Sequence, residues 1–519
     1  MSRIYSYDTT LRDGAQCEGI SFSCDDEIDI LRRLDAFGMD FVEGGWPGSN
    51  PRDDEFFAKA ADLELKCASL TAFGSTRRTG IRPDEDANLL NLVACPAEWC
   101  CIFGKSWDFQ AREALGISPE ENLALIEDSV AFLVSRGKRV MFDAEHFFDG
   151  YRSNRDYAIS AIKAAEKGGA EWAVLCDTNG GMLPRAIAEA CSDTLTSTGI
   201  PLGIHCHNDS DLATANTLSA VDAGCTLVQG TVNGIGERCG NANLCTVLPD
   251  LSLKCGMDVG SIDLANLTEL SKSIGEIANM SPSPGMPFVG GRAFAHKGGM
   301  HVSALVKDPR TYEHVNPDSV GNSRRILVSD MAGRASISEK LKELGLETGG
   351  DSPEITRLIK DLESKGYEFE GADASFELLV RRLRGDLKER FSVDSFRIFM
   401  DSSGTGMDSE ASVKVRGADD EIEHTAADGN GPVNALDNAI RKALESFYPE
   451  LRKIRLTDYK VRVLDEKSAT AASVRVLIRS TDGKDSWTTV GVSVNVIEAS
   501  LIALVDSMEY ALMKQEERT

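Results

Sequence analysis

Residues 8–13, Asp-Thr-Thr-Leu-Arg-Asp, and residues 204–209, Ile-His-Cys-His-Asn-Asp, carry the residue types of a divalent-metal site, far apart in the chain. His205 and His207 are two apart, so on a strand both rings leave the same face. A hard carboxylate at Asp13 completes an N,N,O donor set for a divalent ion. Arg12, its neighbour in sequence, brings a permanent positive charge to whatever that ion polarises. Taken alone, a His-x-His pair on an apolar strand is explained equally well by packed core histidines, so the elements that carry it have to decide.

Those elements alternate. From residue 4 to about 255, short β-rich apolar runs are expected as strands at 4–10, 41–45, 67–73, 98–104, 139–145, 172–177, 202–207 and 227–233. Between them lie amphipathic stretches such as 25–37, 119–135, 156–167 and 211–223, with Gly38, Gly137, Gly168 and Gly224 as expected helix ends. Eight strands, each followed by a helix, over about 250 residues have the count and size of a (β/α)8 TIM barrel. A doubly wound sheet is the structural alternative.

Polar clusters fall at the C-terminal ends of these strands, where barrel enzymes build their active sites. Strand one ends in Arg12-Asp13, strand two in Glu43, strand five in Asp143-Ala-Glu145-His146 and strand six in Asp177-Thr178-Asn179-Gly180. Strand seven holds the two histidines, and strand eight runs into Asn233-Gly-Ile-Gly-Glu-Arg-Cys-Gly-Asn241. Asn241 is either a further oxygen ligand or a turn residue in that Gly-rich loop. Gly234 and Gly236 have the first spacing of a dinucleotide fingerprint, but the third glycine is misplaced.

Composition narrows the class. The 519 residues suffice for a large catalytic body and at least one further domain. With 56 basic against 82 acidic residues the net charge is −26, which argues against a nucleic-acid or anionic-membrane surface. No signal-like N-terminus is present, and no apolar stretch reaches the roughly 20 residues a spanning helix needs. A soluble, cytoplasmic protein is expected. The 13 scattered cysteines, with no Cys-x-x-Cys pair, read as reduced packing thiols.

The expected domains are a barrel over 1–260, helical linker subdomains over 261–390 that contribute to the active site, and an α+β domain over 391–519. The last reads as two copies of three strands and a helix: 396–400, 412–416 and a third short run before helix 433–447, then 456–464, 473–479 and 489–496 before helix 498–513. Each copy exposes one apolar face on its own, so the copies must pack together or across a dimer.

Leu11-Arg-Asp-Gly-Ala-Gln16, Glu43, His205-Cys-His-Asn-Asp209 and Gly234-Ile-Gly-Glu-Arg-Cys-Gly-Asn241 together resemble the metal-dependent barrel enzymes that include the isopropylmalate, homocitrate and citramalate synthases and 3-hydroxy-3-methylglutaryl-CoA lyase. The resemblance extends over essentially the whole chain. Ala427-Asp-Gly-Asn-Gly-Pro-Val-Asn434 is similar to the regulatory domain of the synthases, which the lyase lacks. Three further segments, 41–51, 142–151 and 366–376, are most similar to the citramalate-forming branch. Glu27 stands where many members carry lysine, and Asp211 replaces a glycine common after the His-x-His-Asn-Asp run.

The resemblance implies a Claisen-type condensation of acetyl-CoA with a 2-oxo acid, pyruvate for the citramalate branch, in isoleucine biosynthesis. The cofactor implied is a divalent ion (magnesium, manganese, zinc or cobalt), bound by Asp13, His205, His207 and Asn241. An oxo acid chelating such an ion has its ketone carbon polarised for attack, and Arg12 is suited to the charge that develops on oxygen. Thr178 resembles the family residue that binds the oxo-acid carboxylate, although its hydroxyl also suits a helix cap. Glu43 positions Arg12, as an ion-pair partner would. His301 resembles the catalytic base of the synthases, supplied by the neighbouring protomer, with Tyr312 assisting. Glu145 is the competing base or the group that orients it, and His146 and His296 are read as supporting residues. Pyruvate, acetyl-CoA, an amino-acid effector such as isoleucine and a homodimer or higher oligomer are the partners implied. The rival readings are a lyase, a synthase for another oxo acid and a non-catalytic amino-acid-binding regulator.

Overall fold

The computed structural model describes residues 3–327, 334–346, 352–401, 408–464 and 472–518. They divide into two compact units, Met1–Phe294 with Val315–Arg324, and Ala295–His314 with Arg325–Thr519.

The first unit is a closed barrel of eight parallel strands in sequence order. They are β1 Tyr5–Asp8, β2 Phe41–Glu43, β3 Ser69–Ser75, β4 Trp99–Lys105, β5 Arg139–Glu145, β6 Trp172–Asp177, β7 Leu202–Cys206 and β8 Leu227–Gly230. Closure is made by β1 against β8, in register from Tyr5 opposite Leu227 to Asp8 opposite Gly230. Alternate strand residues point inward, and here the interior layers are bulky: Tyr7, Phe41, Trp99, Met141 and Leu227 are all buried. The other strand faces meet a ring of helices in a second, larger core.

Local signals explain the helices. Ser23 and Asp26 form a reciprocal capping box at the start of Cys24–Phe37, and Gly38 closes that helix in the left-handed conformation. Leu31 and Leu34 on its inner face are fully buried. Cutting Leu34 to alanine should cost about 2–5 kcal/mol. Helix Pro119–Ser135 begins at the N-cap Ser118 with proline in its first turn. At the end of Arg155–Gly168 the left-handed residue is Gly169, not the expected Gly168. Gly168 is needed for another reason, because a Cβ there would sit 2.7 Å from the Val130 side chain.

In the second unit, β9 Ala295–His296 pairs in parallel with β10 Arg325–Ile326. Helices Gly299–Leu305, Arg334–Glu343, Ser352–Ser364 and Asp373–Arg384 follow the helical expectation for this stretch. Two antiparallel three-stranded sheets come next: β11 Phe391–Asp401, β12 Asp408–Gly417 and β13 Ile422–Gly429, then β14 Arg455–Val463, β15 Val474–Thr481 and β16 Ser486–Ser493. Helix Pro432–Phe447 follows the first sheet and Val496–Arg518 the second, so the doubled strand-strand-strand-helix pattern is present. Ala411, Val413 and Val415 pack with Leu436, Ala439 and Ile440 of the first helix. Val476 and Ile478 pack with Ala499, Ala503 and Leu504 of the second. Elsewhere on these sheets Phe399, Met400, Val461 and Val463 stay exposed. Among the described residues no helix is long and apolar enough to cross a membrane.

Candidate active site

A cavity of about 480 Å³ opens at the C-terminal ends of the barrel strands and is lined by Arg12, Asp13, Glu145, Thr178, His205 and His207. Six of the expected site residues therefore share one space, although β1, β5, β6 and β7 and the turns after them supply them separately. Trp46, Phe73 and Phe103 form an aromatic wall of the same cavity. Trp46 meets both phenyl rings edge-on at 5.8 Å, and its indole N–H donates to Asn88 Oδ1 at 2.8 Å.

Arg12 is held from three sides. Its Nε pairs with Glu43, and Nη1 and Nη2 donate to the two oxygens of Asp13 at 2.6 and 3.0 Å. The guanidinium also covers the Phe73 ring. Glu43 is fully buried and accepts a second hydrogen bond from the Tyr7 hydroxyl at 2.7 Å. Burial pushes the Glu43 carboxyl up, an effect Arg12 partly offsets. Burial also acts against ionised Asp13, but the Arg12 guanidinium beside it holds that carboxyl below its ordinary range. Asp13 is thus a carboxylate, as a hard ligand must be.

The two imidazoles lie with ring centroids 5.1 Å apart and are almost fully buried. Burial lowers both, His207 to about 3 with His205 adding to the effect, so both are neutral donors. His205 Nε2 faces Asp13 Oδ2 at 3.8 Å, and its Nδ1 meets Gln229 Oε1 at 2.9 Å. His207 pairs through its backbone with Asn241, an antiparallel bridge that brings the loop after β8 against β7. His207 Nδ1 and both amide atoms of Asn241 are buried with no hydrogen-bond partner among the described residues. Buried polar atoms are normally satisfied, so unpaired groups beside a carboxylate and a neutral imidazole fit a cation's donor set. Among the described residues, no three His, Cys, Asp or Glu side chains are already drawn together at metal-binding distance, and Asp13 spends both oxygens on Arg12.

Thr178 Oγ1 accepts from the His146 backbone N–H at 2.8 Å, a link between the turns after β5 and β6, whereas helix Phe147–Ser153 has no side-chain cap. The Thr178 carbonyl accepts from Arg238 Nη2 at 2.8 Å, and Arg238 also grips both oxygens of Asp209 at 2.8 and 2.9 Å. The loops after β6, β7 and β8 are thereby tied together. Asp209 leaves room for nothing larger than glycine at Gly180, where a Cβ would lie 2.4 Å from its Oδ2. Glu145 is paired with Lys105. Asp211, in the place of a common glycine, has φ 57°, the left-handed region that aspartate tolerates better than most side chains.

His301 and Tyr312 belong to the second unit, where their rings stack 4.1 Å apart with both side chains exposed. His296 lies 3.3 Å from Glu313 in the same unit, and His146 lies 3.2 Å from Asp149 in the barrel. Sequence reasoning passed over Phe73, Phe103, Lys105 and Gln229. The aromatic pair sits on neighbouring strands at a register that brings their rings together, and that pairing was the available signal.

A family model described as HMGL-like matches residues 3–274. One described as homocitrate synthase post-HMGL domain-like matches 288–367, and one described as the LeuA allosteric (dimerisation) domain matches 370–512. The chain is 53% identical over 527 residues to the (R)-citramalate synthase of Aquifex aeolicus (strain VF5), covering 99% of each chain. It is 51% identical over 523 residues to that of Geobacter sulfurreducens, covering 100% of this chain and 99% of the relative. Identity to the 2-isopropylmalate synthase of Methanocaldococcus jannaschii is 32% over 519 residues, covering 99% and 96%.

Proposed function

Because the chain belongs to the HMGL-like enzyme family, in the synthase branch that carries a LeuA allosteric (dimerisation) domain, we propose that it makes (R)-citramalate from acetyl-CoA and pyruvate, hydrolysing the thioester in the same cycle. It is an enzyme, an acyltransferase of the citramalate synthase kind, and the non-catalytic reading is set aside. The observation that carries the choice of oxo acid is the difference in identity, 53% to a citramalate synthase against 32% to a 2-isopropylmalate synthase, each over nearly the whole chain. The aromatic wall of Trp46, Phe73 and Phe103 agrees with it, since bulky rings leave less room beside the reacting carbon.

Asp13, His205, His207 and the Asn241 carbonyl oxygen are the residues that would hold a divalent ion, which when bound polarises the ketone of a chelating oxo acid. Thr178 offers its hydroxyl to the carboxylate of that acid. Arg12, fixed by Glu43, places a guanidinium where negative charge builds on the ketone oxygen, and donors set in advance avoid reorganisation at the moment of reaction. The acetyl methyl group must lose a proton. His301 is the proposed base, with Tyr312 beside it, supplied by a neighbouring protomer; Glu145, tied to Lys105, is the alternative.

The second unit is the proposed site of dimerisation and of feedback inhibition by isoleucine. Its exposed Phe399, Met400, Val461 and Val463 are apolar surface that a second copy would cover. A cytoplasmic location goes with this role. The test is product identity: incubation with pyruvate, acetyl-CoA and manganese should yield citramalate of R configuration by chiral chromatography and mass spectrometry. No citramalate above the enzyme-free control would reject the proposal.

A further inference from the structure

From the cavity wall a hydrogen-bonded chain links β7, β8 and β5 through His205, Gln229 and Asp143. Gln229 on β8 is fully buried, and its amide bridges two side chains: Oε1 lies 2.9 Å from His205 Nδ1, and Nε2 lies 3.1 Å from Asp143 Oδ1. Asp143 is itself buried and touches Cys101, which also reaches Tyr7, the residue that donates to Glu43. Glu43 then holds Arg12, and Arg12 holds Asp13. Asp13 faces the far side of the His205 ring. The chain of contacts closes on itself.

Directionality follows from which atoms can donate. The amide turns its NH₂ toward Asp143 Oδ1 at 3.1 Å, where that carboxyl oxygen accepts, and its oxygen toward His205 Nδ1 at 2.9 Å. A carbonyl oxygen only accepts, so His205 must donate from Nδ1. A buried, neutral imidazole has one N–H, so its lone pair is left on Nε2, the nitrogen that faces Asp13. Among the described residues, His207 Nδ1 has no hydrogen-bond partner of this kind.

We propose that Gln229, oriented by Asp143, is a positioning residue that fixes the His205 ring in the Nδ1–H tautomer and so presents Nε2 as a ready donor. This rests on the metal-site reading above, but the tautomer itself needs neither metal nor substrate. Outer groups that set a histidine's tautomer typically change metal affinity by about 10–100-fold when removed. The exchange of partners is also testable, because Gln229→Glu alone sets two carboxyl groups face to face, whereas Gln229→Glu with Asp143→Asn restores an acceptor for His205 and a donor for residue 229.

The first experiment is nitrogen NMR of the metal-free full-length protein labelled with ¹⁵N-histidine at pH 8, with His205 assigned by its loss in His205→Gln. The signals of an Nδ1-protonated ring are expected, and an Nε2–H ring would overturn the proposal whatever the enzyme's substrate. The second measures Co²⁺ affinity by titration. Gln229→Leu should bind about 10–100-fold more weakly, and the double variant should bind more tightly than Gln229→Glu. Unchanged affinity in a Gln229→Leu protein that melts like the parent would overturn it. If Gln229→Leu does not fold, the NMR result on the unsubstituted protein decides.

Discussion

The guanidinium carbon of Arg12 lies 3.8 Å from the centre of the Phe73 ring, so one face of the charge rests on an aromatic surface while its edge serves Glu43 and Asp13. A planar fork can make these contacts together, and an ammonium group cannot. Arg12→Lys should therefore fold but lose about 10²–10³ in kcat, the usual cost of removing a donor to developing charge. Steady-state kinetics with pyruvate and acetyl-CoA check this. A loss under tenfold would remove Arg12 from the chemistry.

Asp13→Ala and His301→Ala should both be inactive, for different reasons. The first should lose divalent-ion binding, and the second should keep it together with oxo-acid binding while failing at the methyl-proton step. If His301 serves the neighbouring protomer, mixing the two inactive proteins should restore part of the activity. No recovery in oligomers shown by mass spectrometry to have exchanged subunits would contradict a shared site.

Glu27 is a stability probe outside the cavity. It is 2% exposed, with Arg52 Nε 3.3 Å away, and burial pushes its carboxyl up to about 7 despite Arg52. The folded state thus holds the proton more tightly than the unfolded chain, whose ordinary value is 4.5. Stability from this group is present below about pH 4.5 and is lost as pH rises through 7. Glu27→Gln, which never ionises, should gain on the parent by roughly 2 kcal/mol between pH 5 and pH 8. Thermal melts at both values test it, and a pH-independent difference would show that Glu27 is not buried as an acid.

Truncation before residue 391 should abolish inhibition by isoleucine, with some activity lost if the domain also steadies the dimer. Because an inhibitor must bind one state better than another, isoleucine and acetyl-CoA should weaken each other's binding by the same factor in the intact enzyme. Calorimetric titration of each in the presence of the other measures the two factors. Full isoleucine sensitivity in the truncated protein would refute the assignment.

The barrel was legible because its strands are dense β-branched and aromatic runs, and Arg139–Glu145 and Trp172–Asp177 fall where the pattern placed them. The third strand of the first repeat was not, since Ile-Glu-His-Thr-Ala-Ala-Asp-Gly has little apolar character and is a strand by pairing with β12. Single positions divide the same way. Asp13, His205 and His207 announce themselves by residue type and spacing, whereas Gln229 and Asp143 acquire a role only when barrel closure sets their side chains 3.1 Å apart. Asp211 was visible as a departure, and its meaning, a left-handed backbone position, needed the torsion angle.

The central claim is the choice of oxo acid, and the most direct measurement is free-thiol release from acetyl-CoA with pyruvate, 2-oxobutyrate, 2-oxoisovalerate and 2-oxoglutarate compared as kcat/KM. Pyruvate should be highest. 2-Oxobutyrate should trail it by about 10–200-fold, the discrimination one methylene allows in an apolar pocket. Faster thiol release with 2-oxoisovalerate or 2-oxoglutarate than with pyruvate would contradict the account.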